Sequence, residues 1–298
     1  MELMSYFKLQ PSILTIAPTY KCTAACKHCC FRCTPKIDVR LDVDLMHNYI
    51  DEAVNSFKTL KGVVFTGGEC FVLADELPSL IERATSYNLF TRVVSNRYWA
   101  TTLDNAIEKL RPLVNAGLKE INFSTGDNHQ KFVSLKNIIN GIRAAHDLGI
   151  RSMCISIETD PCVDINYTLN EIKNIPDLSL MINNNVLHII NGAWMHFNKK
   201  DEKSVDIQGT FQEYYNNNPC ENIFDNIFIN PHSQMLSCCG ITVEYNKYLK
   251  VGNLLNNSIL DLYREQCNDL FKIWLHVEGP VAIYNKVIEI TGKKKEIF

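Results

Sequence analysis

The sequence predicts an α/β fold built on parallel strands, and three observations carry that prediction. Short β-rich runs alternate with amphipathic helical stretches between residues 12 and 190, the rhythm of strand–crossover–strand units, whose hand is right-handed. Gly117 and Gly149 stand just past two of the helical stretches, where a residue free to turn left-handed closes a helix. Polar groups also follow the predicted strands on one common edge: a cysteine loop, Gly67-Gly68-Glu69, Asn96, Ser124 to Asp127 and Ser156 to Glu158. Each alone reads as a turn or a helix cap. Together they mark the carboxyl ends of the strands, where such folds bind ligands.

Taken in order, Ser12 to Ala17 is the first strand, stopped by Pro18. From Asp42 to Leu60 the residues Leu45, Met46, Tyr49, Ile50, Ala53, Val54 and Phe57 form one helical stripe. Val63 to Thr66 is the second strand. Leu73 to Tyr87 is a helix, Phe90 to Ser95 a strand, Leu103 to Ala116 a helix and Glu120 to Ser124 a strand. Leu135 to Leu148 (helix), Arg151 to Ile157 (strand), Leu169 to Ile175 (short helix) and Val186 to Ile190 (strand) complete six units. Residues 198–204 are charged and 214–219 rich in asparagine, so a linker is expected near residue 200, dividing the chain into 1–200 and 201–298. Beyond it, Ile227 to Gly240 reads as a hairpin turning at Pro231 to Gln234, with Cys238 and Cys239 at its end. A helix at Ile259 to Phe271 follows. Periodicity alone leaves a partial barrel and a doubly wound sheet equally open.

The 298 residues suffice for one large domain, or for a domain of ~200 residues with an extension. Apolar content of 46% is ordinary for a globular chain. Formal charge is 30 − 33 = −3, so no general basic field asks for nucleic acid; the run Lys293 to Lys295 is short and terminal. No stretch approaches 18 consecutive apolar residues, and the N-terminus lacks a basic-plus-apolar signal segment. A cytoplasmic location is expected, with neither membrane nor nucleic acid as partner. Twelve cysteines then read as metal ligands or reactive thiols rather than as a disulfide framework.

Cys22, Cys26 and Cys29 have the spacing C-x3-C-x2-C. Three thiolates from one short loop can converge on an iron–sulfur cluster, leaving one iron of a [4Fe–4S] cubane open to an outside ligand. A structural zinc site closes with four ligands, and Cys30, Cys33 and His28 keep that reading available, as they do reduced, unligated thiols.

With this motif after the first strand and Gly67-Gly68-Glu69 after the second, the chain resembles the radical S-adenosylmethionine (SAM) superfamily. The resemblance implies a partial (β/α)6 barrel. It implies a [4Fe–4S] cluster on Cys22, Cys26 and Cys29, with SAM chelated to the open iron. Gly67 and Gly68 would let the backbone approach the methionine part of SAM, and Glu69 would accept from its ammonium. His28 precedes the third cysteine, where family members commonly carry an aromatic residue; this is a departure, though imidazole can still pack near adenine. Asn96, Ser124 and Ser156 are expected to contact ribose or the methionine carboxylate. The implied reaction is reductive cleavage of SAM to a 5′-deoxyadenosyl radical that abstracts hydrogen from substrate, fed by a flavodoxin- or ferredoxin-type electron donor. The protein binds, orients and shields that chemistry.

A second cysteine set, with Cys-Cys-Gly at 238–240 and Val-Gly-Asn-Leu at 251–254, resembles the auxiliary-cluster extension of SPASM or twitch members. The later C-x2-C-x5-C run of the full pattern is absent, so one auxiliary [4Fe–4S] cluster is expected, on Cys220, Cys238 and Cys267. Neighbouring residues on extended backbone point opposite ways. Cys239 therefore either completes that set or faces the substrate as a hydrogen-atom donor. Asp127 and His129 are candidates for binding substrate or moving a proton. Cys30, Cys33, Cys70, Cys154 and Cys162 read as structural. The implied substrate is a ribosomally synthesised peptide, crosslinked or epimerised; the alternative is a small metabolite such as a sugar, nucleoside or amino acid. No N-terminal winged-helix leader-binding segment is recognisable. A non-catalytic metal protein is disfavoured, since a structural site needs no Gly-Gly-Glu cradle.

Overall fold

The computed structural model describes residues 10–159, 167–193, 218–240 and 243–292. One nine-stranded sheet, in the order β6-β5-β4-β3-β2-β1-β7-β8-β9, organises the chain. Its strands are β1 (Ile13–Ile16), β2 (Gly62–Phe65), β3 (Phe90–Ser95), β4 (Glu120–Gly126), β5 (Ser152–Thr159), β6 (Leu187–Ala193), β7 (Asn226–Ile229), β8 (Gln234–Leu236) and β9 (Lys250–Asn253). The first six pair in parallel, each with its sequence neighbour. The sheet is an open partial barrel of α/β class, as the resemblance implied.

Between the strands run α1 (Val43–Ser56), α2 (Glu76–Ser86), α3 (Leu103–Asn115), α4 (Leu135–Asp147), α5 (Tyr167–Lys173) and α6 (Pro176–Asn183). Their apolar stripes, such as Met46, Ile50 and Ala53 on α1, cover Val63, Phe65, Val93, Ile121, Phe123, Met153, Ile155 and Ile157, all fully buried. A parallel sheet usually buries both faces under apolar residues. Here the opposite face carries Arg92, Glu120, Asn122, Ser124, Ser152, Ser156 and Glu158, all partly accessible. Residues of one parity face helices and those of the other face an open, polar lumen.

The C-terminal segment extends the same sheet. β7 lies parallel to β1, from Ile13 against Asn226 to Ile16 against Ile229, and its apolar residues are all buried. β8 and β9 follow antiparallel. The predicted hairpin is thus present, its turn held by Asn230 Oδ1, which accepts from His232 N at 3.0 Å and Gln234 N at 3.1 Å. Two helices close the segment: α7 (Ile259–Cys267), whose first amide donates to Glu52 of α1 at 2.6 Å, and α8 (Leu270–Thr291).

Several boundaries depart from expectation for local reasons. The helix expected from Leu73 begins as a 3-10 turn at Cys70–Leu73, and α2 starts only at Glu76. The short helix ending near Ile175 is followed by α6, because Pro176 opens a helix at its first turn rather than ending one. The helix expected to run to Phe271 stops at Cys267, and Asp269 caps α8 by accepting from Phe271 N and Lys272 N. α8 is concealed in the sequence by Gly279-Pro280, where Gly279 has φ +80° and a Cβ would stand 2.0 Å from the Asn218 carbonyl oxygen. The linker expected near residue 200, Cys162 and the terminal lysines lie outside the described residues. Among the described residues, no helix is long and apolar enough to cross a membrane.

Candidate active site

The cysteine loop leaves β1 at its carboxyl end and is tied back along both flanks. Thr19 bridges Arg40 and Lys21 bridges Thr34, and Leu41 N donates to the Pro18 carbonyl at 2.8 Å. Within the loop, Cys29 N donates to the Cys26 carbonyl at 3.2 Å and Arg32 N to that of Cys29 at 3.0 Å. Backbone amides also point at sulfur: Ala24 N lies 3.5 Å from Cys22 Sγ and Cys33 N 3.4 Å from Cys29 Sγ. The three expected ligand thiols face one another closely enough to feel one another's charge. Burial pushes Cys22 up to about 11 and Cys26 up to about 12. The Cys33 thiol donates to Cys29 and, with two backbone amides, holds Cys29 down at about 6. Cys33 is therefore a partner of a motif sulfur as well as a core residue. Cys30, by contrast, is pushed up to about 12, first by burial and then by Cys29.

The Gly-Gly-Glu turn supports this loop directly. Thr66 N donates to Ile16 O at 3.0 Å, Gly68 N to Thr19 O at 2.8 Å and Glu69 N to Lys21 O at 3.0 Å. The glycines are required by that approach. A Cβ on Gly68 would lie 2.1 Å from the Lys21 carbonyl oxygen, and Gly67 combines φ +103° with a Cβ position 2.7 Å from Thr19 O. Glu69 is wholly buried. Its Oε1 accepts from Phe71 N at 3.1 Å and its Oε2 from Asn96 N at 2.7 Å, with the Ser95 hydroxyl as a further donor. Burial raises its pKa, and those donors and Arg97 oppose the rise. In this structure the Glu69 carboxylate faces the protein.

Arg97 is the counter-charge, and sequence reasoning missed it. It sits just past β3 in a left-handed conformation, φ 68°, fully buried. Its guanidinium donates to the Ser95 carbonyl and to Asn122 O at 2.7 Å, and lies 3.6 Å from the centre of the Phe123 ring. Burial drives its pKa down while Glu69 drives it up. Asn96 reaches the cluster loop: its Nδ2 donates to Thr23 Oγ1 at 3.0 Å and lies 3.5 Å from Cys22 Sγ.

On the far side of the mouth, His28 Nε2 contacts Glu158 Oε2 of β5, and the His28 ring meets His129 edge-on at 4.8 Å. Ligand atoms of His28, His129 and Glu158 all lie within 4.8 Å of one another. Burial lowers His129 to about 4, against the opposing pull of Glu158, so its imidazole is neutral near neutral pH. Asp127 is exposed on the turn beyond β4. Ser124 and Ser156 are register partners on the lumen face, and Ser156 donates to Asn122 Oδ1 at 3.1 Å. Deeper, Arg92 pairs with Glu120, which also accepts from Ser152 at 2.8 Å. Arg92 and Glu120 do not stand out in the sequence, and Glu158 does so only as one polar group at a strand end. Their signal is there, as charged side chains at lumen parity within strands otherwise reading as core.

The second cysteine set assembles in part. Cys220, Cys238 and Cys239 are close enough to feel one another's charge, although residues 221–237 separate the first from the others. Cys238 is buried, and its sulfur accepts from Gly240 N at 3.4 Å; burial pushes it up to about 11. Cys239 is exposed and within electrostatic reach of Arg92 and Asp225. Cys267, the third ligand expected from the sequence, is fully buried on α7 with Tyr263 as its polar partner. Cys154 is buried, as expected, but on the lumen face among Glu120, Arg92 and Ser156.

The profile of the Radical SAM superfamily matches residues 16–175, a span that opens on the last residue of β1 and holds the cysteine loop, the Gly-Gly-Glu turn and β2 to β5. The chain belongs to the radical SAM superfamily. It is therefore an iron–sulfur-dependent enzyme that uses SAM and a [4Fe–4S] cluster. A curated relative is YydG of Bacillus subtilis (strain 168), whose name links it to peptide biosynthesis; it is 29% identical over 158 residues. That match spans about half of each protein, 51% of this chain and 47% of YydG. Among solved structures, a polyhistidine-tagged anSMEcpe with bound AdoMet aligns with TM-score 0.60 at 10% identity, over 93% of this chain and 83% of the other. Native anSMEcpe with AdoMet and the Cp18Cys peptide aligns with TM-score 0.56 at 10% identity, over 90% and 88%. BtrN with AdoMet and 2-DOIA aligns with TM-score 0.51 at 12% identity, over 93% and 89%. At such identities the likeness concerns the fold.

The residues present fit the family's cluster. Three soft sulfurs converge on one loop, backbone amides point at two of them, and a glycine turn leaves no room for a Cβ beneath.

Proposed function

We propose that this radical SAM enzyme acts in the cytoplasm on a ribosomally made peptide, and that it epimerises a residue held in the lumen between the cysteine loop and Cys239. The observation that carries the reading is the contrast within one dipeptide: Cys238 is buried with its sulfur hydrogen-bonded, whereas Cys239 is exposed. One thiol is thus available for ligation and its neighbour for the substrate. The name of YydG supports a peptide as substrate class.

When bound, the cluster and SAM supply a hydrogen-abstracting radical. Cys22, Cys26 and Cys29 would hold the cluster, Gly67 and Gly68 would carry the loop past the turn, and Glu69 would set that turn in place. Asn96, Ser124, Ser156 and His28 would line the SAM pocket, with Asp127 and His129 at its rim. Loss of an α-hydrogen leaves a carbon radical on the substrate. The Cys239 S–H bond breaks and a C–H bond forms on the opposite face, inverting the centre and leaving a thiyl on Cys239. One electron from a flavodoxin- or ferredoxin-type donor and one proton from water restore the thiol. Cys220 and Cys238, with Cys267 the next candidate, would hold a single auxiliary [4Fe–4S] cluster in a twitch-like extension comprising residues 201–298.

The test is anaerobic turnover of reconstituted enzyme with SAM, reductant and a pool of genome-encoded short peptides in D2O. Epimerisation through an exchangeable thiol adds about 1 Da per modified residue, whereas a crosslink removes about 2 Da. Release of 5′-deoxyadenosine stimulated by a sugar, nucleoside or free amino acid, and by no peptide, would sink the reading in favour of a small-metabolite enzyme.

A further inference from the structure

The cysteine loop is held by the C-terminal segment as well as by the Gly-Gly-Glu turn. The loop presents Tyr20, Phe31 and Arg32 to the C-terminal segment, and each meets it. Phe31 stacks between Tyr20, at 5.6 Å, and Phe228 of β7, at 5.7 Å. His232, from the hairpin turn, meets Tyr20 edge-on at 6.1 Å. Arg32 has φ 51°, a left-handed conformation costly for a side chain with a Cβ, and its guanidinium lies 4.6 Å from the centre of the Tyr245 ring.

One carboxylate joins these contacts. Glu244 follows Val243, which is fully buried in the core, and its own side chain is only 11% exposed. The Tyr20 hydroxyl donates to Glu244 Oε1, and Asn230 Nδ2 donates to the same oxygen at 3.0 Å. Lys250 Nζ of β9 stands 3.7 Å from Oε2. Three elements (the cysteine loop, the hairpin turn and β9) therefore converge on one largely enclosed carboxylate. Glu69, Gly68 and Asn96 hold one flank of the loop; Glu244 is the corresponding anchor on the flank that meets the C-terminal segment.

We propose that Glu244 is a positioning residue for the cluster. Through Tyr20 it clamps the cysteine loop to the C-terminal segment and keeps the three sulfurs in register, so that the segment adjoining Cys238 and Cys239 also governs how firmly the first cluster is held. Partners that orient metal ligands without touching the metal alter metal affinity by roughly 10–100-fold when removed. The proposal concerns retention of the cluster and does not depend on which substrate the enzyme takes.

The experiment uses the full chain, reconstituted anaerobically. It follows the decay of the reduced-cluster EPR signal that changes on adding SAM, with an iron chelator present, alongside a circular-dichroism melt. Glu244→Ala and Tyr20→Phe should each speed the decay at least about tenfold, and the double variant should be no faster than the faster single one. Glu244→Gln, which keeps a neutral acceptor, should fall between Glu244→Ala and wild type. Arg83→Ala removes an ion pair to Asp51 far from the loop and should leave the rate at the wild-type value. Tyr20→Phe loses only one oxygen, so it remains decisive if Glu244→Ala fails to fold. Decay at the wild-type rate in Tyr20→Phe would overturn the proposal. So would effects of Tyr20→Phe and Glu244→Ala that multiply, or acceleration by Arg83→Ala in proportion to its loss of melting temperature.

Discussion

The two groups of cysteines meet by different physics. Cys22, Cys26 and Cys29 come from eight consecutive residues, and the hydrogen bonds of that one short loop bring their sulfurs together. Cys220, Cys238 and Cys239 come from either side of β7 and β8, and they meet only because β7 pairs in parallel with β1 and β8 folds back on it. The first group is a local motif resting on a glycine turn. The second is a product of sheet topology. Perturbing the first should act on chemistry at once, and perturbing the second should reveal which part of the chemistry it serves.

The largest effect is expected from Cys22/Cys26/Cys29→Ala. SAM cleavage should fall by more than about 10³-fold, since no other group among the described residues supplies the cluster's function. Iron counting then separates the two groups: iron that survives in this variant belongs to the Cys220–Cys238 group, and none surviving removes the auxiliary cluster. Next is Cys239→Ala. Reductive SAM cleavage should stay within about threefold of wild type, while epimer formation and deuterium uptake should fall by at least about 10²-fold, as a step that depends on one hydrogen donor must. Equal loss of both would mean that Cys239 serves the second group as a ligand.

Two further substitutions act on the support of the first group. Arg97→Met removes the buried positive charge that opposes the rise in Glu69's pKa and strips the Ser95 and Asn122 carbonyls of the guanidinium that donates to them, and leaving buried acceptors unsatisfied costs roughly 1–3 kcal/mol. A urea melt of the apo-protein should show it. Gly68→Ala forces a methyl to within 2.1 Å of the Lys21 carbonyl oxygen; overpacking of that kind costs roughly 1–3 kcal/mol, together with a measurable loss of iron after reconstitution. A Gly68→Ala protein with full iron and an unchanged melt would show that the loop yields at that contact.

How much of this is legible in the sequence follows from the same contrast. The cysteine loop and the Gly-Gly-Glu turn are local, so spacing and position after a strand are enough to mark them. The strand–helix rhythm is equally readable, because each helix carries its own stripe. What escapes depends on distant partners. Arg97 reads as an ordinary residue past a strand until Glu69 is seen buried beside it. Glu158 has meaning only across from His28, and Glu244 only across from Tyr20. Gly279-Pro280 and Pro176 read as breakers, whereas one sits in a kinked helix and the other begins one. The lumen residues lie in plain view at alternate positions of β3, β4 and β5, but a run read as apolar from its average character conceals their parity.

Cys267 is where the comparison can be sharpened at the smallest cost in stability. Spacing makes it a natural third ligand beside Cys220 and Cys238, being the last cysteine of the chain. In the structure it points into the core from α7 and is bonded to Tyr263, whose hydroxyl donates to the Phe224 carbonyl at 2.6 Å. To reach Cys238 it would have to leave that contact and turn the helix with it. Cys267→Ala should therefore remove only a buried sulfur, lowering stability by about 1–2 kcal/mol, with iron content and product unchanged. Loss of the iron that survives in Cys22/Cys26/Cys29→Ala would show instead that α7 turns to deliver this sulfur, and that the second group closes only when its metal is bound.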